Sequence, residues 1–381
     1  MPLNTCIFFT CGVLAASLAC AGPRLASNLP TLKFEQEQQI KKLAGVDSLD
    51  KLSAAQEKCV RELFYAVDEK AVLELAGVKD AGSLSKDQQE AYRKLNEATG
   101  VTELRPEWTA KLDALIGDSL LAPVSNPRRL LVFYRTDGFS HRHGIIAGNE
   151  AIRIAAEKTR AFRVDFSDDY MALQPHHLAN YEAVVLNNTT NLKTDRCRFV
   201  SSALVDFVKY GKGLAVIHSG NDGFNEAPEI LYMIGGRFCG HPWGAGGTWR
   251  FKVEDAASPL TGMFNKDGFS FSDEIYMQAA PYFSRQALHV LISIDLNDSA
   301  TKEALDRSNI RRRPDNDYAV AWVRTFGKGR VFYSSFGHDQ RAWLEKSTLL
   351  HLLGGIQYAL RDVKTSEAPS QPQFVELPVA Q

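Results

Sequence analysis

The chain has few cysteines, no excess of either charge and no apolar run long enough to cross a bilayer, and each of these lacks excludes a class of function. Three of the six cysteines, Cys6, Cys11 and Cys20, fall within the first 21 residues. Cys59, Cys197 and Cys239 remain, too widely spaced for a disulfide scaffold or a C-x-x-C zinc site, so a large fold must rest on its apolar core. Lys and Arg number 44 against 45 Asp and Glu, a net charge of -1, which gives no general attraction to nucleic acid or an anionic membrane. The basic triplet Arg311-Arg312-Arg313 stands among Pro, Asp and Asn and reads as a solvated loop. H-E-x-x-H and G-x-S-x-G are also absent, which removes the local signatures of zinc proteases and serine esterases.

What is present divides the chain into four parts. Residues 1–21 carry an apolar run, Cys6 to Leu18, followed by Ala19-Cys20-Ala21, the pattern of a cleaved export signal. The reading is therefore an exported protein, periplasmic or secreted, with lipid attachment at Cys20 disfavoured by Ser17. Residues 30–122 are rich in helix formers and hold a two-unit repeat, "LAGVDSLDKLSAAQ" at 43–56 and "LAGVKDAGSLSKDQ" at 75–88. In each unit the S-x-x-Q spacing (Ser53 with Gln56, Ser85 with Gln88) suits a helix start, and Gly45 and Gly77 suit helix ends. Two units are fewer than a solenoid needs, so this reads as a small helical appendage, used for packing or for contact with a protein partner. After "APVSNPRR" the pattern changes to short β-branched runs alternating with helical stretches, over residues 127–362. This rhythm predicts a three-layer α/β domain with a mostly parallel, doubly wound sheet. The two runs flanking Gly327-Lys328-Gly329 predict a hairpin, and residues 363–381 read as a flexible tail.

Open parallel sheets bind ligands beyond the carboxyl ends of their strands. That rule gathers His141 in "TDGFSHRHG", Asn188 and Thr189 in "LNNTT", His218, Ser219 and Asp222 after "GLAVI", and His338 in "FGHDQ". "CGHPW" adds His241 and Trp243, and "SDEIY" adds Asp273, Glu274 and Tyr276. His141, His218, His241 and His338 form a candidate ligand set for a divalent metal such as zinc, which could acidify water or polarise a sugar carbonyl. Without a metal, His218 could instead exchange protons with an acid, Glu274 or Asp273. Asn188, Thr189, Ser219, Asp222, Trp243 and Tyr276 are candidate substrate contacts, the aromatics as stacking platforms. Ser219 lacks the elbow frame of a nucleophile. His176 and His177 read as surface residues and His351 as a packed helix residue.

The stretch from about Arg129 to Arg361 resembles the ThuA-like, or trehalose-utilisation, family. The matching motifs are "DGFSH", "LNNTT", "GKGLAVIHSG", "GGRFCGHPW", "DEIY", "YAVAWVRTFGKGRVFYSSFGH" and "HLLGGIQYAL", in that order. The resemblance implies a fold similar to the class I glutamine amidotransferases, flavodoxin-like in its layers. In those enzymes the elbow carries a cysteine in a C-x-G frame, which maps onto His218-Ser219-Gly220. An imidazole there excludes thiolate attack on an amide. The resemblance further implies a role in carbohydrate utilisation, on a small sugar or an oxidised (keto) glycoside. The expectation is an exported carbohydrate-processing enzyme, a hydrolase, lyase or isomerase; the alternative is a non-catalytic carbohydrate- or partner-binding module.

Overall fold

The computed structural model describes residues 32, 34–65, 69–98, 104–118, 120–124, 126–192 and 198–370; the expected leader, Cys197 and the last eleven residues lie outside them. The chain forms two compact units that divide between Gly100 and Val101.

In the first unit, α1 (Phe34–Ala44), α2 (Ala54–Tyr65), α3 (Glu69–Ala76) and α4 (Lys86–Ala98) follow the repeat. Each S-x-x-Q closes as a reciprocal cap: Ser53 N–H donates to Gln56 and Gln56 N–H to Ser53, with Ser85 and Gln88 repeating the pair. Gly45 and Gly77 end α1 and α3 in the left-handed conformation that glycine adopts without strain. The unit does not stack like a solenoid. α1 packs on α4 and α2 on α3, so equivalent helices exchange partners across a pseudo-twofold. The glutamines lock that exchange: Gln56 Nε2 donates to Leu75 O at 3.2 Å, and Gln88 Nε2 donates to Leu43 O, the equivalent carbonyl, at 3.0 Å. Two repeats thereby close one core of Ile40, Leu43, Val60, Leu63, Val72, Leu75 and Leu95.

The second unit begins with α5 (Pro106–Leu115), whose Leu112, with Ile116 beyond it, belongs to the core of the α/β domain. The helical appendage therefore stops near residue 100 rather than 122. Then come β1 (Arg128–Phe133), α6 (Arg142–Thr159), β2 (Phe162–Ser167), α7 (Pro175–Leu178), β3 (Ala183–Asn187), α8 (Arg198–Lys209), β4 (Gly213–Ile217) and α9 (Pro228–Ile234). β5 (Trp249–Val253), β6 (Phe269–Phe271), β7 (His289–Ile294), α10 (Ser299–Arg307), β8 (Ala319–Phe326), β9 (Gly329–Ser334), α11 (Gln340–Trp343) and α12 (Lys346–Ala359) complete it.

One nine-stranded sheet runs β2-β1-β3-β4-β9-β8-β7-β5-β6. The first five are parallel and the last four extend the sheet antiparallel. β3 and β4 are buried along their whole length, as strands covered on both faces must be. Their residues alternate between two cores. Leu130, Val132, Val185 and Ile217 face the side of α6 and α12, while Leu131, Phe133, Val184 and Val216 face α8 and α9. Strand order reverses between β1 and β3, the point at which doubly wound sheets open a crevice.

Two expectations change. Residues 363–370 are pinned rather than loose: Ser370 N–H donates to Leu288 O, Val290 N–H to Ser370 Oγ, and Glu367 accepts from Tyr358 and Arg330. Arg313 is buried, because its guanidinium donates to Gln278 O and pairs with Asp315 while lying over Phe283. The predicted hairpin forms as expected, with Phe326 opposite Gly329, and it joins the last parallel strand, β9, to the first strand of the antiparallel extension, β8.

Candidate metal centre

The carboxyl edge of the parallel strands brings together most of the histidines selected from the sequence. His218 follows β4 at once and takes a positive φ of 48°, the strained turn of an elbow. Gly220 makes the turn possible, since a Cβ there would meet Val216 at 2.6 Å and Leu186 O at 2.9 Å. His141 sits at the N-terminus of α6, and His338 lies four residues beyond the end of β9. Gly144 lets α6 reach the β9 loop, for a Cβ at this position would stand 2.3 Å from Gly337 O. Asn188, also left-handed at φ 55°, ties β3 to the same loop by donating to Gly337 O at 3.1 Å.

The fourth member comes from the segment before β7. Glu274 approaches His338 Nδ1 at 3.4 Å and His218 Nε2 at 3.7 Å, and the two imidazoles are 3.3 Å apart. One donor atom from each of His141, His218, Glu274 and His338 lies within 4.8 Å of all the others. Donors 2.0–2.1 Å from a tetrahedral ion stand about 3.4 Å from one another, so the spacing of His218, His338 and Glu274 is that of three ligands. His218 Nδ1 donates to Ser335 O at 2.7 Å, which leaves the Nε2 lone pair facing the cluster, the outer-shell arrangement of a ligating histidine. His141 has both nitrogens on hydroxyls, Nδ1 on Ser219 at 3.1 Å and Nε2 on Tyr276 at 3.2 Å. It would exchange one of these contacts to serve as a fourth donor.

The electrostatics suit a cation. Burial holds His141 well below the ordinary imidazole value, helped by the neighbouring His218 and His338, and burial also lowers His218 against the pull of Glu274. Both are therefore neutral and able to ligate at neutral pH. Burial works against ionisation of Glu274, but its contacts with His218 and His338 outweigh it and hold the carboxyl below its usual range. His338 is likewise opposed by burial yet raised by Glu274. Where nothing else lies between these lone pairs, a proton must.

The remaining sequence candidates separate cleanly. His241 is outside the cluster: the loop after Gly240 carries it to the rim, half exposed, 3.4 Å from the outer oxygen of Glu274. Asp273 is fully buried. Its two oxygens accept Gly337 N–H at 2.8 Å and Glu274 N–H at 2.9 Å, and burial with the nearby Asp339 pushes its pKa up to about 7. Through these two backbone contacts it braces the site. Trp243 is also fully buried, donating to Thr301 O and packed edge-on to Tyr318, so it offers no sugar platform. Tyr276 lies in the cluster, 4.3 Å from His218 by ring centroids, and burial together with Glu274 keeps its phenol protonated. Ser219 contacts His141, Thr189 contacts Gly220 O, and Asp222 is occupied by Asn225. His351 is a core residue and His176 and His177 are exposed, as expected. A cleft of about 1250 Å³ between α5, α6 and the ends of β1 and β2 reaches Ser140 and Arg142, the chain neighbours of His141. The sequence reading missed two features: Glu274 as a donor in the cluster, and Phe139, an exposed ring beside His141.

The family model for trehalose utilisation (ThuA) matches residues 129–359. A ThuA-like protein from Bacteroides uniformis is 16% identical with a TM-score of 0.50, over 64% of this chain and 96% of its own. Another from Parabacteroides merdae is 15% identical with a TM-score of 0.44, over 65% and 96%. No curated protein matches the chain. Among the described residues no helix is long and apolar enough to cross a membrane. The matched region spans the whole parallel sheet and every member of the cluster, and the chain belongs to the trehalose-utilisation (ThuA) family.

Proposed function

We propose that this protein is an exported enzyme that acts on a sugar or an oxidised (keto) glycoside at a divalent metal held by His218, His338 and Glu274, with His141 as the fourth donor. The observation that carries it is the convergence of those four donor atoms within 4.8 Å at the carboxyl edge of the sheet. An ion there would polarise a carbonyl oxygen and lower the pKa of bound water. The protein's own groups do the rest. Ser335 O fixes the tautomer of His218, Asp273 holds the backbone of Glu274 and Gly337, and Tyr276 presents a protonated hydroxyl beside His141. A carbonyl acidifies the adjacent C–H, so a base in such a site could drive elimination, isomerisation or glycoside cleavage. The half-exposed His241 on the outer oxygen of Glu274 is placed where a proton can be passed to solvent.

The test is turnover of trehalose and its mono-oxidised keto form by the metal-loaded protein. Product formation that disappears in His218→Ala, with the fold intact by circular dichroism, is expected. Binding of either sugar with no product after long incubation would turn the weight to a non-catalytic module. Export through a leader ending at Ala21 is tested by N-terminal sequencing of the mature protein; an intact Met1 in a cytoplasmic fraction contradicts it.

A further inference from the structure

Phe139 is 69% exposed, a large apolar ring left in water. Single exposed apolar residues are ordinary, but two observations set this one apart. Its backbone is pinned: Thr190 Oγ1 donates to the Phe139 carbonyl at 2.6 Å, and Thr136 Oγ1, 3.0 Å from that carbonyl, donates to Thr190 Oγ1 at 2.5 Å. Its ring stands edge-on to His141, with centroids 4.9 Å apart and planes at 72°. A second ring, Phe238, reaches the cluster through Tyr276 at 4.2 Å and lies parallel to the exposed His241, within 16° at 6.0 Å.

We infer that Phe139, with Phe238 beside Tyr276 as a second ring at the cluster, is the platform on which the substrate's sugar ring stacks, which makes Phe139 a specificity-determining residue for pyranose-ring substrates. The inference rests on the sugar reading above. A pyranose presents a face of C–H groups that packs on an aromatic ring, while its oxygens require polar partners. Here those partners are the imidazoles, Glu274 and the Tyr276 hydroxyl, one side chain away. A ring whose loop is already tied down loses little freedom when a sugar settles on it, so its contact converts to affinity with little ordering cost.

The experiment titrates the metal-loaded full chain and its Phe139→Ala, Phe139→Leu and Phe139→Tyr variants with trehalose and mono-oxidised trehalose by calorimetry, with metal content measured in parallel. All four proteins are expected to hold the same metal. The Ala and Leu variants should bind the sugars about three- to tenfold more weakly, and Tyr should keep wild-type affinity. Wild-type affinity in the Ala and Leu variants, with metal retained, overturns the platform and leaves the sugar reading standing. A wild type that holds metal but binds neither sugar overturns the sugar reading and the platform together.

Discussion

Asp273 and Glu274 are adjacent acids that burial assigns to different work. Glu274 points an oxygen at two imidazoles, while Asp273 turns inward to accept two backbone N–H groups. Asp273→Asn replaces one acceptor oxygen with a donor, leaving Gly337 or Glu274 N–H unpaired. It should lower unfolding stability by about 1–3 kcal/mol and weaken divalent-metal binding roughly 10- to 100-fold. Metal titration and denaturant unfolding of the variant check both, and unchanged metal affinity would remove Asp273 from the placement of Glu274. His351, which is not one of the four clustered donors, supplies a pH test. It is fully buried, donates from Nδ1 to Leu260 O and accepts from Ser334, and burial lowers its pKa to about 4. The unfolded imidazole, near 6.5, then binds more protons than the folded one, so this contribution is full above pH 6.5 and is lost as pH falls towards 4. It amounts to on the order of 3 kcal/mol. Unfolding curves across that window should show a shallower loss in His351→Gln than in the wild type; equal slopes contradict it.

At the level of elements, β1, β3 and β4 were legible because a strand covered on both faces must be apolar throughout, and "LLVF", "AVVL" and "GLAVI" leave no polar face. The ends of β1, β4 and β9 then locate His141, His218 and His338. Glu274 and His241 arrive on irregular segments before β7 and after α9, where no periodicity tells which side chain turns inward, so the spacing alone does not separate the rim histidine from the carboxylate inside the cluster. Burial of Trp243, and exposure of Phe139, depend on long-range packing that no local pattern carries. The pinned tail was missed for a related reason. Its few apolar residues promised little packing, and backbone and side-chain hydrogen bonds along β7 hold it instead. The junction of α6 with the β9 loop brings His141 and His338 to the cluster. Gly144→Ala puts a methyl group 2.3 Å from Gly337 O, so the helix must shift. A loss of about 1–3 kcal/mol and weaker metal binding are expected; a variant as stable as the wild type with full metal affinity would show that the contact can yield.

On the scale of the molecule, two units with separate apolar cores share one chain. The repeat closes on itself by exchanging helix partners, so two copies suffice where a solenoid would need more. Leu75 lies at the centre of that small core, and Leu75→Ala should cost its unit about 2–5 kcal/mol. Calorimetry should then show an early transition for the first unit and an unmoved one for the α/β unit, whereas a single lowered transition would mean that the units unfold together. The α/β unit carries the cluster of His141, His218, Glu274 and His338, proposed above as a cation site and built from segments distant in sequence. The most direct measurement is elemental analysis of purified protein beside His218→Ala, His338→Ala, Glu274→Gln and His241→Ala. About one equivalent of divalent metal is expected in the wild type and in His241→Ala, and loss of it in the other three. No metal in the wild type after loading, or equal loss in His241→Ala, would contradict the site.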